Sequence, residues 1–373
     1  MQAHSPTWTD RLGRTYEYSP YEASPIADVV VDFSTDATLA IAEASTSLGS
    51  LPAFPAAGIA AVLYRSESSA SSLIEGLGPG PRRILEAEIA DQTEIEDEAA
   101  RRVVSNLDAL RDAMEPALPI SPADILRWHH KLMKGHPNLP PESIGSFRIQ
   151  QNWIGGDSAG PRNAKFVPPR PETVPALMDD LVTFCTRTDL AAVAHAAIAH
   201  ARFEVIHPFI DGNGRVGRLL IQPLLRRRLA LPSPVPISVI WSQDTNRYIA
   251  GLRSYQDGDV NVWLEFFSVS IVQAVEWLVE TVRSIAALLS DFHSRVQTRG
   301  ESVTARIIDD LPQHPIADSQ TVAKRYGVTP QSAHAALQRL EEAGILRERN
   351  FARRRKGRPR RAFAATELID LLL

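Results

Sequence analysis

The chain has 373 residues, 44% hydrophobic and 23% charged, a length for two or three domains and a composition ordinary for a soluble globular protein. Its net charge of −4 hides one bias: from Arg347 to Arg361 nine basic residues face a single acid, Glu348, so that window is +8 and the rest of the chain −12. A nucleic-acid hypothesis is thereby confined to the C-terminus, and the lone cysteine, Cys185, excludes an intrachain disulfide or a cysteine metal cluster.

Cys185 lies among apolar neighbours in LVTFCTRT and reads as a buried structural thiol. The first twenty residues lack an apolar stretch flanked by positive charge, so no secretory signal is expected. AGIAAVLY is too short to span a bilayer, and the expectation is a cytoplasmic protein with no membrane partner.

In chain order, residues 1–55 are rich in Pro, Ser and Tyr and predict a loose N-terminal arm with one helix near Asp36–Thr46. Residues 56–100 turn helical, and apolar residues at 95, 99, 103, 107 and 110 trace a helical stripe. Ser121-Pro122 signals another helix start. GSFRIQQNWIGGDSAGPRNAKFVPPRPETV combines β-prone pieces with Gly-Gly, Gly-Pro and Pro-Pro, and reads as a hairpin or lid. Helices are then expected over 172–187, 189–205, 214–229, 243–256 and 261–288, so a block over 101–290 is mostly α. In the tail, 300–373, a helix, a turn at Gly327, a helix opened by Thr329-Pro330, and two strands around RRRKGRPR outline a winged helix. The fold class expected is mainly α: a helical core with a small β-hairpin flap, followed by a winged helix-turn-helix domain.

The densest chemistry is FEVIHPFIDGNGRVGRLL, residues 203–220. Pro208 forbids continuation of the helix that delivers His207. Gly212-Asn213-Gly214 permits unusual backbone angles before a helix resumes, which aims successive N–H groups and a positive helix end outward, a cradle for phosphate. Arg215 and Arg218, three apart, add guanidinium forks, while Val216, Leu219, Leu220 and Leu224 define the face to be buried. Pro223 is expected to bend this helix. Asp211 is a hard oxygen ligand suited to Mg²⁺ bridging phosphates, and His207 is the nearby group able to accept a proton near neutral pH. Together they describe transfer at the phosphates of a nucleotide.

This stretch resembles the Fic (filamentation induced by cAMP) family, whose motif HPFx[DE]GNGRxxR is matched by His207, Pro208, Phe209, Asp211, Gly212, Asn213, Gly214, Arg215 and Arg218. The resemblance runs from about Ala56 to Val275, with GSFRIQQNWIGG and AKFVPP similar to the family's flap and AAIAHARFE to its helix before the motif. It implies adenylylation: AMP passes from ATP to a Tyr, Thr or Ser hydroxyl of a protein, releasing pyrophosphate. By resemblance His207 is the base, Asp211 binds Mg²⁺, Asn213 with the amides of Gly212 and Gly214 holds the α-phosphate region, and Arg215 and Arg218 hold the β- and γ-phosphates. The flap, about 149–167, would pair with an extended target segment. Phe209 would anchor the loop, and Tyr248 or Gln256 would border the base. The related Doc branch, which phosphorylates, carries lysine in place of the second glycine; Gly214 here favours adenylylation.

Ser71, Glu75 and Gly76 match the family's inhibitory pattern [ST]xxxE[GN], in a helix of about 66–76 ahead of the core. The resemblance implies that Glu75 pairs with Arg218, withdraws it from the γ-phosphate, and leaves ATP posed unproductively. Three further readings stay open: removal of AMP at the same site, self-modification, and a nucleotide-sensing DNA regulator that uses 329–361, and a homodimer is compatible with each. His195 and His200, and His129 with His130, have no carboxylate or thiol at ligand spacing and read as packing or positioning groups. Trp128, Trp153, Trp241 and Trp263 read as core or flap anchors.

Overall fold

The computed structural model describes the chain except residues 1–5, 10–12, 52–56, 90–96, 116–118, 157–159, 298–301, 351–360 and 373. The basic turn RRRKGRPR therefore lies outside the described residues, as does the first part of the helical stripe expected from residue 95.

The elements run β1 (Thr7–Thr9), β2 (Thr15–Glu17), α1 (Thr35–Gly49), α2 (Ala57–Ile74), α3 (Pro81–Ile89), α4 (Glu98–Ala113) and α5 (Pro122–Met133). They continue as α6 (Val174–Cys185), α7 (Ala192–Ile206), α8 (Asn213–Leu229), α9 (Ile237–Gln243), α10 (Thr245–Gln256) and α11 (Val260–Val296). The chain closes with α12 (Val303–Asp310), β3 (Ile316–Ala317), α13 (Ser319–Tyr326), α14 (Pro330–Glu342), β4 (Arg347–Asn350), β5 (Arg361–Ala364) and α15 (Thr366–Leu372). Short 3-10 turns occupy Pro141–Ser143, Pro161–Asn163 and Pro171–Thr173. Helix dominates, and α9 was not legible as a helix in the sequence.

Two compact units share the chain: one holds 1–49, 108–231 and 244–270, the other 50–107, 232–243 and 271–373. In the first unit α7 is the axis. All of its residues are buried, and its alanines (192, 194, 196, 197, 199, 201) let neighbours approach closely. A helix apolar all round has no solvent face to keep. Helix α8 is almost as enclosed: Arg215 and Arg218 are buried along with Val216, Leu219, Leu220 and Leu224, so the expected division into an apolar face and an arginine face does not hold. The helix runs on through Pro223. Gly217 lets α7 and α8 touch, since a Cβ there would collide with the Glu204 carboxylate and lie 3.0 Å from the Phe203 ring.

The N-terminal arm is not loose where it is described. β1 pairs antiparallel with β2, in register Trp8 with Tyr16. Farther along, the Ile26 and Ala27 amides donate to the Asp180 carboxylate at 2.7 and 3.0 Å. Among the described residues of the hairpin expected near 145–174, no strand forms, and Ile154 and Phe166 make an antiparallel bridge. Gly155 and Gly156 take φ of +72° and +78°, and Pro161, Pro168 and Pro169 supply no N–H for a ladder.

The second unit is built on α2, the later part of α11 and the C-terminal elements. Val62, Leu63, Ile285, Phe292, Ile308, Leu337, Leu340 and Phe363 form one apolar cluster. Its sheet has the order β3-β5-β4, antiparallel throughout. On α2 the buried Glu67 accepts from the backbone and hydroxyl of Ser238, and Arg65 pairs with Glu88 at 2.8 Å. Helix α2 ends at Ile74, and Gly76 follows with φ +77°, as a helix stop requires. Against the expectation that no run approaches a membrane span, α11 is long and apolar enough by length and composition; half of its apolar window is buried, as in a core helix.

Candidate active site

The site forms where α7 stops and α8 begins. Pro208 closes the right-handed region to His207, which takes φ 48° and ψ 59°, a left-handed conformation that costs a side-chain-bearing residue about 1–2 kcal/mol. Its N–H still caps the helix, donating to the Phe203 carbonyl at 2.9 Å. The backbone turn thus lifts the imidazole off the helix axis, half-exposed, while both neighbours are buried.

That turn is clamped from the flap side. Arg148 is buried and donates Nε–H to the His207 carbonyl at 2.8 Å and Nη2–H to the Pro169 carbonyl at 2.5 Å. Its own N–H donates to the Pro208 carbonyl at 2.8 Å. Burial pushes this guanidinium down to about 10, with Glu172 and Tyr18 opposing. Asn152 adds a bond to the Phe209 carbonyl at 2.9 Å.

Below the loop, the fully buried Phe209 ring stacks flat on His129, with centroids 3.8 Å and planes 1° apart. His129 Nδ1 accepts from the Gly145 N–H at 2.9 Å, so Nε2 carries the proton and donates to the Asp211 carbonyl at 3.1 Å. Burial pulls this imidazole down to about 4, with nearby Arg215 acting in the same sense. A neutral, oriented histidine thus holds the backbone of the residue expected to bind metal.

The Asn213 side chain braces the loop. Its Oδ1 accepts from the Phe209 N–H and its Nδ2–H donates to the Phe209 carbonyl, both at 2.8 Å. The side chain pins the loop, and what points onward is the backbone at the start of α8. Gly212 takes φ +82° there, with Met133 Sδ 2.9 Å from where a Cβ would stand.

Asp211 leaves 44% of its side chain exposed, with Oδ1 accepting from the Gly212 N–H at 2.6 Å and lying 3.8 Å from Arg215 Nη2. His136 Nε2 lies 3.5 Å from Oδ2. Arg215 and Arg218, each 1% exposed, sit in the first turns of α8. The structure therefore brings together His207, Asp211, Gly212, Asn213, Gly214, Arg215 and Arg218 at one helix junction. Tyr248 is buried, and its hydroxyl lies 2.9 Å from His200 Nε2. Gln256 closes α10, half-buried. Ser71, Glu75 and Gly76 belong to the second unit, with Ser71 buried and Glu75 exposed just past the end of α2. Also in that unit is a cavity of about 270 Å³ lined by Ser69, Leu73, Leu77, Ile84 and Trp277, which holds none of the motif residues.

His195 bonds the Phe184 carbonyl at 2.9 Å, a packing role like that of His200. Among the described residues, no group of three or more His, Cys, Asp or Glu side chains is placed to hold a metal by itself. One half-exposed carboxylate does fit Mg²⁺ that brings its other oxygen ligands from phosphates and water. Arg148 and Asn152 were missed in the sequence, although both fall in the stretch read as a flap.

Residues 119–225 match the Fic/DOC family. Over 154 residues the chain is 34% identical to the protein adenylyltransferase Fic of Drosophila willistoni and 33% to that of Drosophila yakuba, covering 40% of this chain and 28% of each relative. The chain thus spans under a third of the length of these curated relatives. A Fic family protein from Desulfovibrio desulfuricans G20 shares the fold with a TM-score of 0.57 at 21% identity, over 93% of this chain and 98% of that one.

Proposed function

We propose, from the premise that residues 119–225 belong to the Fic/DOC family, that the chain is a protein adenylyltransferase. A hydroxyl oxygen of a target protein attacks the α-phosphorus of ATP, the bond to the bridging oxygen of the β-phosphate breaks, and pyrophosphate leaves. His207 takes the hydroxyl proton at an imidazole nitrogen. The single observation that carries this reading is the junction itself: His207 turned out of α7 by a left-handed backbone, one loop away from two buried arginines at the start of α8. Buried guanidinium groups beside a glycine turn and a helix start favour a polyanion. Gly212, Gly214 and the α8 amides would receive the phosphate nearest the reacting centre, and Arg215 and Arg218 the ones beyond. Asp211 would hold Mg²⁺, which supplies charge neutralisation on the phosphates when bound.

Two finer parts of the reading are proposed with it. The exposed edge of the flap, where Ile149 is 87% exposed, is the dock for an extended target segment. Glu75 restrains the enzyme through Arg218, and the support is its pattern with Ser71 and Gly76 at the end of α2.

The test uses α-labelled ATP and Mg²⁺ with cell lysate, comparing wild type, Glu75→Gly, and Glu75→Gly with His207→Ala. Label on protein only with the single variant supports a restrained adenylyltransferase. Equal labelling by wild type and Glu75→Gly sinks the restraint, and labelling that survives His207→Ala sinks the mechanism.

A further inference from the structure

Adenylyl transfer leaves the C-terminal elements of the second unit without a role. Their order is α12, β3, α13, α14, β4, β5, with the sheet β3-β5-β4 closing against the helices. Helix, strand, two helices at a tight turn, then two antiparallel strands is the winged form of a helix-turn-helix. The turn is local chemistry: Gly327 takes φ +67°, and Thr329 caps α14 by accepting from the Ser332 N–H at 3.2 Å.

Helix α14 has two unlike faces. Ala333, Ala336, Leu337 and Leu340 are buried in the apolar cluster. Gln331, Ser332, Ala335 and Gln338 are exposed. That outer face has no acid before Glu341 and no bulky apolar side chain, and none of the exposed large hydrophobic residues of the described chain lies on α13 or α14. A protein-docking helix needs apolar or aromatic anchors at its centre. A groove-reading helix needs short and amide side chains that reach base edges: Gln pairs with adenine, Ala packs beside a thymine methyl, and Ser hydrogen-bonds either kind of base edge. This face is of the second kind.

Charge points the same way. Lys324 is exposed and Arg325 half-buried in the last turn of α13. By sequence alone, the ten residues 351–360 that join β4 to β5 carry six basic residues and no acid. In a chain of net charge −4 such a concentration of basic residues favours a phosphate backbone.

We infer that the chain is also a duplex-DNA-binding protein, with α14 reading the major groove through Gln331 and Gln338 and the exposed Lys324 of α13 contacting a phosphate. Neither the activity proposed above nor its failure bears on this, because the two use different residues.

The experiment selects full-length chain against a random duplex pool, then measures the enriched duplex at several salt concentrations. Expected is one enriched sequence whose affinity falls steeply with salt. Gln331→Ala and Gln338→Ala, both solvent-facing, would each lose preference at one base pair by roughly 10-fold while leaving binding to unselected DNA unchanged. Lys324→Ala would weaken all sequences alike and shallow the salt slope by about one. Circular dichroism of each variant shows whether the fold is kept. No enrichment over the pool, or enrichment indifferent to both glutamines, overturns the inference. Capture of a protein dependent on Gln331 with no enriched DNA overturns it in favour of a protein dock.

Discussion

Arg148 donates its Nε–H to the carbonyl oxygen of His207 at 2.8 Å, across 59 residues of chain. The bond ties the base of the flap to the one strained backbone position of the junction, so the side chain proposed as base and the segment proposed as target dock share a fastener. Arg148 also donates to the carbonyls of Gln150 and Pro169.

Replacing Arg148 by Met keeps the stem and removes every side-chain donor, leaving buried carbonyls unmet at about 1–3 kcal/mol each. The expected result is destabilisation of about 3 kcal/mol, read by urea unfolding. A fall in kcat exceeding any change in ATP affinity is expected alongside. Arg148→Lys restores one or two of the bonds and should recover part of both. Unchanged unfolding in Arg148→Met refutes the clamp.

The buried histidines make stability fall with acid. Burial draws His200 down to about 3 and His129 to about 4, from an ordinary value near 6.5. The unfolded chain therefore binds protons first as pH drops, so folded-state stability is full above about 6.5 and is lost as pH falls toward 4 and 3. Each such group contributes a slope approaching about 1.4 kcal/mol per pH unit in that window. His200→Gln keeps a hydrogen-bonding group for the Tyr248 hydroxyl and should flatten the decline measured by unfolding at pH 7, 6 and 5. The same slope in both proteins would assign the acid sensitivity elsewhere.

Gly217 is where α7 and α8 touch. Gly217→Ala drives a methyl into Glu204 and Phe203, and overpacking of this kind costs about 1–3 kcal/mol. Since Arg218 is the next residue, ATP affinity should fall with it. Calorimetry and nucleotide titration check both, and an unshifted melting temperature would show that the helices can part freely.

Trp8 of the arm meets Trp153 edge-on at 5.0 Å, and the Tyr21 N–H donates to the Val167 carbonyl at 2.8 Å. Trp8→Ala should loosen the flap by roughly 1 kcal/mol, beyond the area it uncovers. Hydrogen exchange over residues 160–167 should then quicken several-fold while α7 exchanges as before. No change there would make the arm a bystander.

The sequence alone determined much that depends on near neighbours. Pro208 dictates the stop of α7, Gly212 the turn, Ser121-Pro122 the start of α5, and Gly76 the end of α2, because each acts within a few residues through a missing N–H or a permitted positive φ. The mainly α class followed from apolar spacing. What spacing could not supply was enclosure: α7 reads as an ordinary alanine-rich helix, and only packing makes it buried all round and takes Arg215 and Arg218 inside with it. Arg148, His129 and Asn152 were likewise unreadable as supports of the His207 loop, since their partners lie 57 to 82 residues away. Tertiary structure also gave Asn213 a bracing bond pair with Phe209, and Tyr248 a partner in His200. A polar side chain takes whichever hydrogen-bond partner the fold places nearest, and that choice is made by contacts distant in sequence.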